Sequence, residues 1–253
     1  MPVLRLFSHE LAVAEALAAE LKRLSEQAIS SHGLFRVALS GGSTPKTLFR
    51  LLVSDIWRNR IDWSRTEIFW ADERCVPQNQ DASNAGTARR LLLDHVPVYA
   101  LHPMWTDIDD SPEQAAMRYE NLLRRLNLTR TESGFDAVLL GMGSDGHTAS
   151  LFPDSPLLDD REHAVGVAHA PEYIAQNPAE RVRLTLLPCV FSVSSHCFFS
   201  VCGESKAQML ARVFEGDDGL PASRIESKTP PVWLADMRAY ALFPPQFGGI
   251  PKH

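Results

Sequence analysis

The stretch FDAVLLGMGSDGHTASLFP, residues 135–153, joins a run of apolar residues directly to a loop that is dense in glycine. A short apolar run bounded by a turn is typical of a strand buried on both faces of a sheet. The loop places Asp145 and His147 just beyond that strand. Ligands of α/β proteins bind at the carboxyl ends of the strands. The stretch therefore predicts a central strand that ends in a functional loop.

Strand and helix patterns alternate on both sides of this stretch. Further apolar strands are predicted at 34–40, 66–71, 163–170, 181–187 and 196–203. Helices are predicted at 9–29, 83–95, 111–126 and 204–216, and another is predicted to begin with Thr44 as N-cap and Pro45 as its first residue. This alternation predicts an α/β fold with a mainly parallel sheet covered by helices on both faces. No repeat or linker divides the chain, so we expect one domain over 1–253.

Composition limits the classes of partner. The 253 residues carry a formal net charge of −6 with a pI near 5.8, and no run of five Lys or Arg residues occurs. This balance repels a nucleic-acid backbone. No stretch approaches the length of a membrane span, and the first residues do not have the pattern of a secretory signal. We expect a cytoplasmic protein with no nucleic-acid or membrane partner, present as a monomer or a weak homodimer.

Cysteine and histidine spacing argues against a metal site. The four cysteines, Cys75, Cys189, Cys197 and Cys202, form no CxxC pair, and the nine histidines form no HExxH arrangement. Cysteines within or beside apolar runs are typical of reduced core thiols. We expect no metal ion and no disulfide.

The segment SGGSTP, residues 40–45, follows the predicted strand at 34–40. Gly41 and Gly42 allow a tight turn, and the helix start after them presents free N–H groups and a positive dipole end to an anion such as phosphate. Ser43 and Thr44 add hydroxyl donors. The segment lacks the GxxxxGK[ST] pattern of a Walker A loop. An ordinary strand-to-helix turn explains this segment equally well.

Two other strand ends carry charged residues. Asp72 and Arg74 follow the strand at 66–71 at alternate positions, so both side chains are predicted to face the same way. A local ion pair is an equally good interpretation. Lys206 lies near the start of the helix at 204–216, where its ammonium would reach the same edge of the sheet. A lone lysine in such a place is most often a solvated surface residue.

The glycine loop matches GxGxxG at Gly141, Gly143 and Gly146, but its context does not fit dinucleotide binding. That function needs a helix after the third glycine. Here Pro153 and a turn-rich stretch follow. The remaining hypothesis is that the turn holds Asp145 and His147 for chemistry, because imidazole is the side chain best suited to proton transfer near neutral pH. A structural histidine bonded to the loop backbone is the alternative.

Taken together, these segments resemble the 6-phosphogluconolactonases within the glucosamine-6-phosphate isomerase/6-phosphogluconolactonase superfamily. The match comprises SGGSTP, DER-VP followed by Ser83 and Asn84, GMGSDGHTASLFP, RVRLTL, GESK and the tail over 221–236, all in the order of the family. The resemblance therefore spans nearly the whole chain.

The resemblance implies a modified Rossmann-like fold and hydrolysis of 6-phospho-D-glucono-1,5-lactone without a cofactor. It implies that His147 and Asp145 are the catalytic pair. Our own hypothesis, not carried over from the family, is that Asp72 assists them by orienting the water or a sugar hydroxyl. The resemblance assigns phosphate binding to a set comprising Gly41, Gly42, Ser43, Thr44, Arg74 and Lys206. Either Arg181 or Arg183 matches a basic position near the substrate, and we favour Arg181.

Two alternatives have distinguishing features. The related deaminases resemble this loop but carry a glutamate five residues after the histidine, where this sequence has Phe152. Without that carboxylate, ring opening of an amino sugar loses its proton relay. A non-catalytic sugar-phosphate sensor is expected to have an attached helix-turn-helix, and no basic segment of that kind precedes residue 34.

Overall fold

The computed structural model describes residues 2–106, 108, 111–129 and 133–243. The helices and strands in those ranges are, in chain order, β1 (Val3–Phe7), α1 (Glu10–His32), β2 (Phe35–Leu39), α2 (Ser43–Leu52), β3 (Thr66–Trp70), β4 (Asp72–Arg74), α3 (Asn84–Leu91), β5 (Ala100–Leu101), α4 (Pro112–Arg125), β6 (Ala137–Leu140), β7 (Val165–His169), β8 (Val182–Leu186), α5 (Pro188–Ser192), β9 (Cys197–Val201), α6 (Ala207–Phe214) and β10 (Val232–Asp236). Strands β1 and β10, which pair with each other, were not among the predicted elements.

Seven strands form one parallel sheet in the order β1-β10-β9-β6-β2-β3-β5. Strand β6, from the stretch at 135–153, lies in the middle of this sheet. Every residue of β3, β6 and β9 is buried, which explains why these strands do not alternate between apolar and polar residues. The prediction of an α/β fold around a mainly parallel sheet is confirmed.

A second sheet of three antiparallel strands, in the order β4-β8-β7, was not expected. The sequence predicted β7 and β8 as members of the parallel sheet. A parallel pair needs a crossover connection, usually a helix, but the segment between these strands contains only the short turn Pro178–Glu180. The chain therefore returns as a hairpin. Only Ala71 separates β3 from β4, so β4 carries Asp72 and Arg74 directly from the large sheet into the small one.

The four predicted functional segments meet because the strands before them are neighbours. Strands β9, β6, β2 and β3 are adjacent in the sheet, and their carboxyl ends lead into CGESK, GMGSDGH, SGGSTP and DER. Helix α2 begins at Ser43 with Gly42 as its N-cap, two residues before the predicted start at Pro45 with Thr44 as N-cap. Gly42 has φ of 113°, a value that favours glycine, and this turn lets the helix begin early.

All four cysteines are free thiols. In the part of the chain that the structure describes, no helix has the length and apolar character needed to cross a bilayer. Within the same residues, no group of three His, Cys, Asp or Glu side chains is arranged to hold a metal ion.

Candidate active site

A pocket of about 180 Å³ opens where the four strand-end segments converge. The predicted site residues that line it are Gly41, Gly42, Ser43, Thr44, Asp72, Arg74, His147 and Lys206. Asp145 does not line the pocket but is bonded to His147. The fold therefore brings together residues that lie up to 165 positions apart, from Gly41 to Lys206 (206 − 41 = 165).

His147 and Asp145 form a close pair at one side of the pocket. The imidazole Nδ1 lies 2.5 Å from Asp145 Oδ1, and both side chains are largely buried. Burial raises the pKa of Asp145, but the hydrogen bond and charge of His147 outweigh burial and hold the pKa at about 2. Asp145 is therefore ionised at neutral pH and accepts the Nδ1 proton. This tautomer leaves Nε2 with a lone pair that can accept a proton.

Two features of the loop give the imidazole its place. A Cβ added to Gly143 would lie 2.1 Å from His147 Nδ1 and 2.5 Å from Asp145 Oδ1, so this position requires glycine. The ring of Phe152 packs against the imidazole with a centroid separation of 4.9 Å. Phe152 thus occupies the loop position at which the related deaminases are expected to carry a glutamate. It offers the imidazole an apolar surface instead of a carboxylate.

Tyr173 supports the pair from the loop between β7 and β8. Its hydroxyl donates to Asp145 Oδ2 at 3.2 Å, although 68% of the residue is exposed. The pKa of Tyr173 is raised, first by partial burial and then by the charge of Asp145, so the hydroxyl keeps its proton. Each carboxylate oxygen of Asp145 therefore has a hydrogen-bond partner, Oδ1 with His147 and Oδ2 with Tyr173. No pattern in the sequence indicated this contact, because an isolated tyrosine in a polar loop has no characteristic spacing.

The start of α2 also faces the pocket, without a capping side chain. The first amides of a helix have no partner within the helix, and the dipole makes this end positive. The hydroxyl of Ser40 is also buried with no hydrogen-bond partner among the described residues. This arrangement suits an anion with several acceptor oxygens.

Three cations line the same pocket: Arg74, Lys206 and Arg183. Among the residues that the structure describes, none of them has a carboxylate within ion-pair distance. Burial, and then the charge of Arg74, lowers the pKa of Arg183, which is only 4% exposed. Burial also lowers the pKa of Lys206, and the charge of Asp145 partly opposes this effect. Like charges held this close are stabilised by a bound anion.

The preference for Arg181 over Arg183 is corrected by the structure. Arg181 precedes β8, and its guanidinium turns back onto the neighbouring loop, with Nη2 3.1 Å from Glu172 Oε1 and Nε 2.9 Å from the Ala175 carbonyl oxygen. Arg183 lies within β8, opposite Arg74 of β4, and its side chain lines the pocket. The register of β8 against β4 determines which of the two arginines faces the pocket. That register belongs to the small antiparallel sheet, which was not predicted.

Asp72 is buried and bonded on both oxygens. Oδ2 accepts from Ser150 Oγ at 2.8 Å, and Oδ1 accepts from Asn84 Nδ2 at 3.3 Å. Asn84 Oδ1 in turn accepts from Arg74 Nη1 at 2.7 Å. Neither Asn84 nor Ser150 was predicted as a site residue. Asn84 was visible in the sequence only as part of the Ser83–Asn84 motif, and Ser150 gave no signal of its own.

Known proteins are similar in sequence over most of this chain. A family model described as glucosamine-6-phosphate isomerases/6-phosphogluconolactonase matches residues 8–233. A 6-phosphogluconolactonase from Synechocystis is 35% identical over 92% of this chain and 95% of the relative. A probable 6-phosphogluconolactonase from Arabidopsis thaliana is 34% identical over 92% of this chain and 91% of the relative.

Solved structures are similar over nearly the whole chain. A 6-phosphogluconolactonase from Shewanella baltica superposes with a TM-score of 0.79 at 30% identity, covering 93% of this chain and 98% of the other. A monomeric glucosamine-6-phosphate deaminase has a TM-score of 0.81 at 17% identity, covering 95% and 99%, a likeness of fold alone. With the family model matching most of its length, this chain belongs to the glucosamine-6-phosphate isomerase/6-phosphogluconolactonase family.

Proposed function

We propose that this protein is an enzyme that hydrolyses 6-phospho-D-glucono-1,5-lactone to 6-phospho-D-gluconate, a step of the oxidative pentose phosphate pathway. The observation that carries the proposal is the His147–Asp145 pair at the edge of a pocket lined by three cations and a helix start. A proton acceptor and an anion grip in one pocket match a phosphorylated ester. The similar proteins named 6-phosphogluconolactonase support this substrate.

In the proposed mechanism, Nε2 of His147 removes a proton from a water molecule as its oxygen attacks the lactone carbonyl carbon. A new C–O bond forms, and the bond from that carbon to the ring oxygen then breaks. The imidazolium returns its proton to the departing ring oxygen, while ionised Asp145 stabilises the imidazolium. General acid–base catalysis of this kind contributes about 10²–10⁴-fold to the rate.

The phosphate of the substrate binds to the start of α2 and to the three cations in this proposal. Free amides at the start of α2 and the hydroxyls of Ser43 and Thr44 donate hydrogen bonds to its oxygens. Lys206, Arg74 and Arg183 supply the charge. Holding the remote phosphate orients the reacting carbon toward His147. Asp72, already fixed by Ser150 and Asn84, orients the water or a sugar hydroxyl.

A coupled assay tests the proposal directly. Glucose-6-phosphate dehydrogenase generates the lactone in place, and the appearance of 6-phosphogluconate is followed with and without this protein. Acceleration above spontaneous hydrolysis is the expected result. Binding of the lactone without acceleration would favour a sensor instead. Release of ammonia from glucosamine 6-phosphate would favour a deaminase, which the packing of Phe152 on His147 argues against.

Replacing Lys206 with alanine is expected to raise KM for the phosphorylated lactone about 10- to 100-fold, because one charge-assisted contact to phosphate is lost. The residual rate on unphosphorylated gluconolactone is expected to stay unchanged. Initial rates on both substrates measure the difference. Lys22→Ala, which removes a lysine paired with Glu26 on α1 outside the pocket, is the matched control. Equal losses on both substrates would contradict a phosphate role.

Replacing Tyr173 with phenylalanine is expected to lower kcat about 2- to 5-fold with little change in KM, because Asp145 loses one exposed hydrogen bond. The exposed ring makes a folding defect a minor concern. Tyr99→Phe is the control, since Tyr99 is 61% exposed and does not line the pocket. If both variants keep the kcat of the unmodified enzyme, the Tyr173 hydroxyl does not hold Asp145 during turnover.

A further inference from the structure

Glu73 is a buried carboxylate that the proposed mechanism does not use. It lies on β4 between Asp72 and Arg74 and is only 1% exposed. Because alternate residues of a strand point to opposite faces, Asp72 and Arg74 line the pocket while Glu73 points away from it. A charged group is costly to bury unless its surroundings satisfy it.

Four donors satisfy the two oxygens of Glu73. Oε1 accepts from the N–H groups of Arg74 at 2.7 Å and of Asn84 at 2.8 Å. Oε2 accepts from the Ala85 N–H at 2.7 Å and from Ser83 Oγ at 3.1 Å. Two of these amides belong to the first turn of α3. Glu73 therefore fastens strand β4 to the start of helix α3, where a negative charge is favourable.

The fastened residues are the ones that orient the pocket guanidinium. Asn84, the first residue of α3, donates from Nδ2 to the carbonyl oxygen of Asp72 at 2.9 Å and accepts from Arg74 at 2.7 Å. Arg74 Nη1 also donates to the Ala82 carbonyl oxygen at 2.7 Å. A Cβ on Gly41 would lie 1.8 Å from Asn84 Oδ1, so the anion-binding loop rests directly on this asparagine. A shift of α3 relative to β4 would therefore move Asn84, the Arg74 guanidinium and the loop at Gly41.

We propose that Glu73 is a positioning residue that sets the substrate affinity of this enzyme by locking Asn84 and Arg74 into the geometry that grips the phosphate. The inference rests on the phosphate role of Arg74 in the proposed function. Only the ionised carboxylate accepts all four donors. A protonated Glu73 has no negative charge, so the bonds it accepts from the three amides weaken, and its own O–H points toward one of the former donors.

The surroundings of Glu73 make its hydrogen bonds to Arg74 and to the start of α3 sensitive to pH near neutrality. Burial raises the pKa of Glu73 from 4.5 to about 7, although the amides of Ala85, Asn84 and Arg74 and the charge of Arg74 act against the rise. The charged groups beside it are Asp72 and Arg74 on its own strand and Arg183 on β8. We therefore expect the hydrogen bonds that Glu73 accepts to weaken as the pH falls below about 7.

As the pH falls, the folding stability contributed by Glu73 and the affinity of the enzyme for its substrate are expected to change in opposite directions. Because the folded pKa of Glu73 lies above the unfolded value, its contribution to stability is fully present below 4.5 and is lost as the pH rises through about 7. Acidification through this window thus stabilises the fold through Glu73, while it loosens the grip on substrate. A residue with a purely structural role would not raise KM under conditions in which its own contribution to folding increases.

The experiment measures KM for the phosphorylated lactone between about pH 6 and about pH 8 in the full-length enzyme and in Glu73→Gln. Glutamine has a similar size but only one acceptor oxygen. The variant is expected to show a KM raised about 3- to 10-fold at the alkaline end, from the loss of about one hydrogen bond, with kcat little changed. Its KM is expected to depend less on pH than that of the unmodified enzyme. The phosphate also titrates near pH 6, and it does so equally in both proteins. A variant with the KM profile of the unmodified enzyme would overturn the proposal.

Three further variants separate the causes. Glu67→Gln removes another buried carboxylate, which pairs with Arg36 on the neighbouring strand outside the pocket; it is expected to lower Tm and leave the KM profile unchanged. Ser83→Ala serves if Glu73→Gln does not fold. Losing this donor is expected to move the pH dependence of KM to higher pH, and an unmoved profile would overturn the inference.

If Arg74→Ala keeps a normal KM, the proposed phosphate role fails. If Arg74→Ala raises KM but Glu73→Gln does not, only the Glu73 inference fails.

Discussion

Replacing His147 with glutamine is expected to lower kcat for lactone hydrolysis by about 100- to 10,000-fold, the usual contribution of a general base. Glutamine is similar in size and polar, but it cannot take a proton from water at neutral pH. KM is expected to change little, because this substitution leaves in place the cations and the start of α2 that are proposed to bind the phosphate. The variant then binds its substrate without turning it over.

The measurement follows acid release from freshly generated lactone and subtracts the spontaneous rate, which matters because the lactone also opens without enzyme. Asp145→Asn is the companion variant. It removes the charge that holds the Nδ1 proton, so the imidazole loses its preferred tautomer and kcat is expected to fall as well. If His147→Gln keeps near-normal activity, another group activates the water and the proposed mechanism is wrong.

Replacing Gly143 with alanine is expected to lower kcat about 100-fold or more, since small displacements of a catalytic group have effects of this size. The added methyl group would lie 2.1 Å from His147 Nδ1, well inside contact distance. The obstructing atoms belong to side chains, so the imidazole is expected to swing away while the backbone keeps its path. The predicted result is a folded protein whose catalytic pair is broken.

Kinetics and thermal unfolding together measure this outcome. The matched control is Gly219→Ala, at an exposed glycine outside the pocket where a Cβ meets only the movable Asp217 carboxylate at 3.1 Å. The control is expected to keep normal kcat and Tm. A fully active Gly143→Ala enzyme would mean that the imidazole does not rest against Gly143 during catalysis. A loss of Tm as large as the loss of activity would point to a folding defect.

Local patterns in the sequence were enough to predict the four central strands of the large sheet and most of the residues that line the pocket. Buried parallel strands are continuous apolar runs, so β2, β3, β6 and β9 were recognisable without any tertiary information. Glycine and serine after such strands, together with a helix start, indicated the loop that is proposed to bind phosphate. The position of His147 followed from the same rule, because strand ends in one parallel sheet meet at one edge.

The start of α2 and the small sheet were harder to predict. Gly42 adopts a φ of 113° that lets the helix start two residues earlier than the start predicted from Thr44 as N-cap. Strands β7 and β8 are apolar enough to suit either sheet. Their antiparallel pairing depends on the connection between them and on the partner strand β4, which is only three residues long.

The amino-acid sequence alone determined the α/β fold, the order of its main elements and the identity of the residues at the strand ends, because each of these depends on neighbours close in the chain. Only the tertiary structure decided that Arg183 and not Arg181 faces the pocket, that Asn84 links Asp72 to Arg74, and that Glu73 fastens β4 to α3. These contacts join segments whose relative register is set by packing across the two sheets, and no local pattern in the chain carries that information.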